Sequence, residues 1–118
     1  MSISPIINAT ELLTIYKTEN ILLVDASNGP NTRLNYDSKH LEGAIFADAN
    51  TQLATIETDV AIGGRHPLPS IEDFSKTLGD LGITPQTWVV IYDDKNGANA
   101  AARFWWMLRA IGHEKVQV

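Results

Sequence analysis

The chain has 118 residues, 44% of them apolar, and a formal net charge of −5. This length and composition indicate one globular domain with a modest core rather than a disordered chain. The nine Lys and Arg residues are scattered, so no basic cluster exists to neutralise nucleic-acid phosphates. No apolar run reaches the roughly 18 residues of a transmembrane helix, and the first residues lack a signal-peptide pattern. We therefore expect a cytoplasmic protein that binds neither nucleic acid nor membranes.

The sequence contains no cysteine. This excludes disulfides, thiolate metal sites and thiol nucleophiles within the chain. The three histidines lie far apart and lack the paired spacing of metal ligands, so we expect no metal site. We also expect no cofactor. The missing thiol restricts the function more than any residue that is present.

The first half of the chain predicts one helix and two strands. Asn8 and Glu11 have the spacing of a capping box, which indicates a helix start. The continuous apolar run at 21–26 is typical of a strand that is buried on both faces. A turn is predicted at 27–31, a short strand at 44–47, and a long loop over 50–69.

The second half alternates helix and strand. Ser70 is a good N-cap for a helix whose apolar residues recur at 71, 74, 78 and 81 and which should stop near 79–82. A strand at 88–92, a helix from about 99 to 111 and a strand at 115–118 follow. This alternation predicts an α/β fold, with these four strands in one mainly parallel sheet and helices on both faces.

Three segments in a fixed order carry a family resemblance. Residues 36–44 read YDSKHLEGA, residues 64–69 read GRHPLP, and residues 103–109 read RFWWMLR. This set resembles the N-terminal half of the tandem-domain rhodanese family, the thiosulfate and 3-mercaptopyruvate sulfurtransferases, over about residues 8–118. Glu42 departs from the family, which usually has proline in a His-x-Pro-Gly-Ala turn. The resemblance implies a rhodanese-like α/β domain.

The loop at 93–99 is where the resemblance bears on chemistry. In catalytic rhodanese domains this loop carries the cysteine that becomes a persulfide, and its N–H groups stabilise the thiolate. Here Asp93 stands at or beside that position, so the resemblance implies a degenerate active-site loop (Asp93, Asp94, Gly97, Asn99) without a catalytic residue. We expect the carboxylate of Asp93 to occupy the anion-favouring position, and Asp93, Asp94 or Asn99 to cap the next helix. We also expect the loop, which holds Asp94 as well, to lack the catalytic ring of N–H donors.

Three residues are candidates for an interdomain cleft: Asn28, Arg65 and Trp106. Arg65 could attract an anionic substrate through its planar fork of donors, or could tie the glycine-rich loop to a carboxylate. Other family members often place an aromatic residue where Asn28 stands. Trp106 points nearly opposite to the helix face formed by residues 104, 108 and 111, so a neighbouring helix or a second domain must cover it.

Two further patterns have simpler interpretations. His40 precedes Gly43 and Ala44 in a turn, so we expect it to hydrogen-bond local backbone in a structural motif rather than to act in catalysis. The adjacent carboxylates of Asp93 and Asp94 would also suit a metal-dependent phosphatase, in which a strand-end Asp can be the nucleophile. However, adjacent side chains usually point in different directions, and no second acidic or Ser/Lys motif supports that chemistry.

The sequence therefore predicts that residues 1–118 form a single rhodanese-like domain without catalysis of its own. The resemblance implies an intact enzyme that moves sulfane sulfur from a small anionic donor, thiosulfate or 3-mercaptopyruvate, to a thiophilic acceptor such as cyanide. Its catalytic cysteine would lie in a C-terminal rhodanese domain beyond Val118. We expect this domain to be truncated, because the family continues past the last strand with a glycine turn and a helix. The alternative is a free-standing, non-enzymatic binding or regulatory module.

Overall fold

The computed structural model describes residues 3–16, 20–49, 51–54, 67–95, 97 and 99–118. Over these ranges helices and strands alternate as α1 Ala9–Ile15, β1 Ile21–Asp25, α2 Thr32–Ser38, β2 Ile45–Phe46, α3 Ile71–Leu81, β3 Trp88–Tyr92, α4 Ala100–Ala110 and β4 Val116–Gln117. The four strands form one parallel sheet in the order β2-β1-β3-β4. The predicted α/β fold with a parallel sheet is confirmed.

Two helices begin as their capping residues predict. The Asn8 side chain accepts a hydrogen bond from the Glu11 N–H at 2.9 Å, and the Glu11 carboxylate accepts one from the Asn8 N–H at 3.2 Å, which completes a capping box for α1. Ser70 Oγ accepts from the Asp73 N–H at 3.1 Å at the start of α3. That helix ends at Gly82, whose φ of 81° lies in the left-handed region that favours glycine.

The sequence did not predict α2. Its seven residues include none that is buried, and its N-cap, Asn31, has a φ of 65° and no side-chain capping bond. A tertiary contact helps to hold it instead, because the Tyr36 hydroxyl donates a hydrogen bond to the Ala44 carbonyl at 2.6 Å. On its exposed side, Arg33 and Asp37 form an ion pair at 3.2 Å.

Helices cover both faces of the sheet, as predicted. Alternate residues of each strand point to opposite faces, so the sheet divides the core into two clusters. The larger cluster packs strand residues against α3 and α4, and includes Val24, Val89, Ile91, Phe74, Phe104 and Leu108. The smaller cluster, on the α1 face, contains Leu23, Ala44 and Val90 with Leu12 and Tyr16 packed against them.

Two apolar residues at the ends of the predicted helices are exposed. Ile71, one of the apolar residues at helical spacing in α3, is the first residue of that helix and is 78% exposed. Ile111, predicted to share one helix face with Phe104 and Leu108, follows the last helical residue as the C-cap of α4 and is 50% exposed. The remaining members of that α4 face, Phe104 and Leu108, are fully buried.

The N-terminal segment lies along the outer edge of β4. The Val118 N–H donates to the Pro5 carbonyl at 2.9 Å, and the Ile7 N–H donates to the Val118 carbonyl at 3.0 Å. The buried Gln117 side chain donates to the Ser4 carbonyl at 2.8 Å. These bonds satisfy polar groups that an uncovered edge strand would leave open. Within the described ranges, no helix has the length and apolar character needed to cross a membrane.

Candidate functional site

Asp93 directly follows β3, at the carboxyl end of the parallel sheet. The apolar run of β3 ends here, and the chain turns through a short loop into α4. In open α/β sheets, ligands bind outside the carboxyl ends of the strands. A ligand-binding site in a fold of this type would therefore be expected near Asp93.

The Asp93 carboxylate accepts four backbone hydrogen bonds. Oδ1 accepts from the N–H groups of Lys95 and Gly97, both at 2.8 Å. Oδ2 accepts from the N–H groups of Asn99 at 3.3 Å and Ala101 at 3.0 Å. We call these four donors the Asp93 cradle. The side chain thus sits at the N-terminus of α4, where the helix dipole and the free N–H groups favour negative charge.

The cradle determines the protonation state of this side chain. Partial burial raises the pKa of the Asp93 carboxyl, but the hydrogen bonds from the N–H groups of Ala101, Lys95, Gly97 and Asn99 outweigh that effect and hold its pKa below the ordinary 3.8. The group is therefore an anion at neutral pH. A small anionic sulfur donor approaching this loop would meet a negative charge whose N–H partners are already engaged.

One sequence expectation about this loop was wrong. The loop was expected not to present a ring of N–H donors, because Asp94 follows Asp93. In the structure Asp94 does not interfere: its carboxylate is about half exposed and lies 3.8 Å from Lys95 Nζ. All four N–H groups bind the Asp93 carboxylate, so the ring of donors is present and Asp93 fills it.

Asp93, rather than Asn99, caps α4. Asn99 is the N-cap residue by position, but it makes no side-chain capping bond. The Asp93 Oδ2 atom takes that role by accepting from the Ala101 N–H in the first turn. A carboxylate six residues before the N-cap can do so only because the intervening loop folds back over the end of β3.

Gly97 fits the loop for two reasons. Its φ of 78° is one that side-chain-bearing residues rarely adopt, and a Cβ there would collide with the Val118 side chain. The loop therefore lies close against the end of β4. An apolar cleft of about 550 Å³ opens beside this contact, lined by residues 5–7 together with Asp93, Gly97, Ala102, Trp105 and Val118.

A smaller polar cleft of about 190 Å³ lies toward β1 and α2, and Asp25, Ser27, Lys39, Asp93 and Asp94 contribute to its walls. Asp25 is buried, and its Oδ1 accepts from the Ser27 N–H at 2.9 Å. Sequence reasoning did not single out Asp25. The strand register could have indicated that Asp25 lies near Asp93, because Asp25 pairs with Tyr92, the residue before Asp93, in the neighbouring strand.

The turn around His40 is fixed by local bonds. His40 Nδ1 lies 2.7 Å from the Tyr36 carbonyl, so that nitrogen carries the hydrogen, and the two rings stack with centroids 4.0 Å apart. Gly43 has a φ of 80°, and Ala44 is buried. The Leu41 N–H donates to the Tyr92 hydroxyl at 3.1 Å. These contacts attach the turn to α2 and to β3, which is the geometry of a structural motif.

The structure describes two of the three cleft candidates, and they lie in different elements. Asn28 is half-buried in the loop after β1 and is not among the described residues that line the polar cleft. Trp106 lies midway along α4 and is 53% exposed. Arg65 lies outside the described residues. The described residues also hold no cluster of three or more His, Asp or Glu side chains suited to a metal ion.

Comparison with known proteins agrees with this fold. The sequence model of the family described as "Rhodanese-like domain" matches residues 8–118. The chain belongs to the rhodanese-like domain family. Its structure is similar to that of 3-mercaptopyruvate sulfurtransferase from Leishmania major, with a TM-score of 0.83 and 28% identity over 95% of this chain and 31% of that one. The rhodanese-like fold expected from the sequence is therefore confirmed.

Sequence relatives of this rhodanese-like domain are sulfurtransferases by name. It is 43% identical over 83 residues to thiosulfate/3-mercaptopyruvate sulfurtransferase 2 of Arabidopsis thaliana, covering 70% of this chain and 22% of that protein. It is 33% identical over 116 residues to the probable 3-mercaptopyruvate sulfurtransferase of Pseudomonas aeruginosa, covering 95% and 40%. The chain thus spans well under half the length of these relatives.

Proposed function

We propose that this rhodanese-like domain is the non-catalytic domain of a two-domain sulfurtransferase, with the catalytic cysteine in a C-terminal domain of the same polypeptide. The intact enzyme would move sulfane sulfur from thiosulfate or 3-mercaptopyruvate to a thiophilic acceptor such as cyanide. The names and the greater length of the relatives support this assignment. The observation that carries it is the Asp93 carboxylate bound by all four N–H groups of the cradle.

The chemistry requires a thiolate. A cysteine thiolate attacks the outer sulfur of thiosulfate, the S–S bond of the donor breaks, and sulfite leaves with the bonding electrons. Cyanide then takes the outer sulfur of the resulting persulfide as thiocyanate, and the thiolate is regenerated. An aspartate oxygen is a harder nucleophile that forms no comparable sulfur carrier, and this chain has no cysteine.

The role left to this domain is structural. With its cradle filled by its own side chain, it offers no anion site at the end of β3 and can instead pack beside a catalytic domain, wall the cleft and limit access of water. Exclusion of bulk water from an enclosed site strengthens the electrostatic interactions inside it. This gives a reason for an enzyme to keep a rhodanese-like domain that has no nucleophile.

The intact protein provides the test. We expect its reading frame to continue past Val118 for about 150 residues, within the usual size of a domain, with a cysteine in the loop that corresponds to 93–99. Purified intact protein should form thiocyanate from thiosulfate and cyanide, or pyruvate from 3-mercaptopyruvate. Replacing that cysteine by serine should abolish turnover, whereas Asp93→Asn should leave most of it. A stop codon or an unrelated domain after Val118 would instead support a free-standing regulatory module.

The cytoplasmic location expected from the sequence stays a prediction. Fractionation of cells that express the intact protein, with detection by an antibody to this domain, would test it.

A further inference from the structure

We propose that the apolar pocket between α1 and the turn before β2 binds a small aliphatic amine, whose ammonium group pairs with the Glu42 carboxylate. We call this cavity the α1 pocket. It has a volume of about 330 Å³ and is separate from the loop at 93–99, so this binding would be distinct from sulfur transfer. The residues that line it include Leu12, Leu13, Tyr16, Leu23, Leu41 and Glu42.

The lining of the α1 pocket suits a hydrocarbon group. Helix α1 lies on the sheet without burying any of its seven residues, although Leu12 packs partly against the core cluster that contains Leu23. Leu13 and Leu41 also line the pocket, and they are 73% and 46% exposed. Single exposed leucines are common on protein surfaces, but a concave pocket with mostly apolar walls is typical of a small-molecule site.

Glu42 gives the α1 pocket a negative charge. Its Oε2 atom accepts a hydrogen bond from the Tyr16 hydroxyl at 3.4 Å, which joins the end of α1 to the turn before β2. Glu42 is the one charged residue among the described residues that line the pocket, and neither ion pair found within the described ranges includes it. A carboxylate beside an apolar pocket, with no cation paired to it, is suited to receive an ammonium group.

This charge distinguishes the chain from the usual pattern of the rhodanese-like family. The family usually has proline in the turn where Glu42 stands, and a proline side chain carries no charge. Glu42 is exposed, and among the described residues its side chain bonds the Tyr16 hydroxyl alone, so the fold itself depends little on it. A preference for amines would therefore belong to this chain rather than to the fold.

The size of the α1 pocket favours a small molecule over a macromolecule. Helix α1 has seven residues and is therefore about 10 Å long at 1.5 Å per residue. A stable complex between proteins buries about 800 Å² on each partner, more than one cavity beside so short a helix supplies. Small-molecule pockets begin at about 300 Å³, so a volume of about 330 Å³ fits a short hydrocarbon chain with a polar head.

The test compares three ligands of equal chain length with the intact protein. Hexylamine is a cation at pH 7, because an alkyl ammonium group has a pKa near that of lysine, about 10.4. Hexylamine should shift the methyl NMR signals of Leu13 and Leu41 and should bind about fivefold more tightly than 1-hexanol, the gain expected from one partly exposed ion pair. Hexanoate, which the Glu42 carboxylate repels, should bind at least about tenfold more weakly than hexylamine.

Two pairs of variants separate the charge from the apolar lining. Glu42→Gln should lower the affinity for hexylamine to about that for 1-hexanol, whereas Glu72→Gln, at an exposed carboxylate of α3, should leave it unchanged. Leu13→Gln should weaken the binding of both hexylamine and 1-hexanol by at least about threefold, because it removes apolar contact. Leu34→Gln is the matched control, since Leu34 is 67% exposed in another seven-residue helix and does not line the pocket.

Several results would overturn the inference. Equal affinities of the wild type for hexylamine and 1-hexanol would exclude recognition of the amine by Glu42. An absence of methyl shifts at Leu13 and Leu41 would exclude the pocket as the binding site. Nuclear Overhauser contacts that show these leucines covered by another segment of the intact protein, or by a second copy, would mean that the pocket is already filled. Sulfur transfer by the intact protein is measured separately, so the proposed function can fail or stand without this inference.

Discussion

The carboxylate of Asp93 accepts a hydrogen bond from the backbone N–H of Ala101 at 3.0 Å, which joins the end of β3 to the first turn of α4 across eight residues of sequence. Three more N–H groups of the intervening loop bind the same side chain. The Asp93 side chain therefore binds three described residues of this loop, and several measurable properties of the domain depend on these bonds.

Removal of this carboxylate should destabilise the domain. Asp93→Ala leaves four backbone N–H groups without their partner, and we expect the free energy of unfolding in urea to fall by about 2 kcal/mol. Asp94→Ala is the matched control, because Asp94 is exposed and its pairing with Lys95 at 3.8 Å should contribute little. Equal losses for the two variants would contradict the role given to the cradle.

The stabilisation by Asp93 should depend on pH. The pKa of Asp93 is lower in the folded chain than its ordinary value of 3.8, so the folded state binds its proton less readily than the unfolded state does. The contribution of Asp93 is therefore fully present above the unfolded pKa and is lost as the pH falls through the folded pKa. The stability difference between the wild type and Asp93→Asn should shrink between pH 5 and pH 3, the range of about one unit on either side of a typical Asp pKa. Urea unfolding of both proteins at each pH measures this stability difference. A difference that stays constant with pH would exclude a contribution from the titration of Asp93.

A cysteine introduced at this position should have an acidic thiol. The four N–H donors that bind the Asp93 carboxylate would face a thiolate in Asp93→Cys, and a helix N-terminus also stabilises a thiolate, so we expect a thiol pKa below about 8.5. Absorbance of the thiolate at varied pH measures it, with Asp94→Cys as the exposed control of ordinary pKa. We still expect little sulfur transfer, because the Asp94 charge remains beside the thiol and repels thiosulfate. Turnover that matches a catalytic rhodanese domain would refute that expectation.

Residues 1–118 alone should show no sulfurtransferase activity. Without a thiol the chain has no group that can accept and release a sulfane sulfur. We expect neither thiocyanate from thiosulfate and cyanide nor pyruvate from 3-mercaptopyruvate above the uncatalysed background. Robust turnover by this cysteine-free chain would falsify the placement of the chemistry in a second domain.

The two faces of α4 should respond differently to truncation. Phe104 is fully buried and packs edge-to-face on Phe74 with ring centroids 6.2 Å apart, so Phe104→Ala should lower the free energy of unfolding of residues 1–118 by about 4 kcal/mol. Trp106→Ala removes a half-exposed ring and should change it by less than about 1 kcal/mol in the same chain. A large loss for Trp106→Ala would mean that its ring supports this domain rather than a partner.

The sequence predicted most of the fold because most elements carry local signals. These signals each involve only a few neighbouring residues: the capping box of Asn8 and Glu11, the Ser70 cap, and the apolar runs of β1 and β3. The helix α2 has no such signal, since it is short, polar and held in part by the contact of Tyr36 with Ala44. A helical-wheel argument likewise placed Trp106 nearly opposite to the helix face of Phe104 and Leu108, and its side chain is 53% exposed in the structure.

The candidate site was predicted only in part. The position of Asp93 after an apolar strand, before a helix, indicated a carboxylate that caps α4. The convergence of four N–H groups on it could not be read from the sequence, because it depends on how the loop folds back between β3 and α4. The need for glycine at position 97 could not be predicted from the sequence either. A Cβ there would collide with the side chain of Val118, which is distant in sequence.

The bond from the Gln117 side chain to the Ser4 carbonyl has a consequence for the order of events during synthesis. The two residues are 113 positions apart, and both backbone bonds between Val118 and residues 5–7 also join opposite ends of the chain. A ribosome releases Ser4 long before Gln117, so the first residues must wait unpaired while the central strands assemble. The outer edge of this four-stranded sheet is then completed only after β4 has been synthesised, and a bulky tag fused before Ser4 should delay that step more than one fused elsewhere.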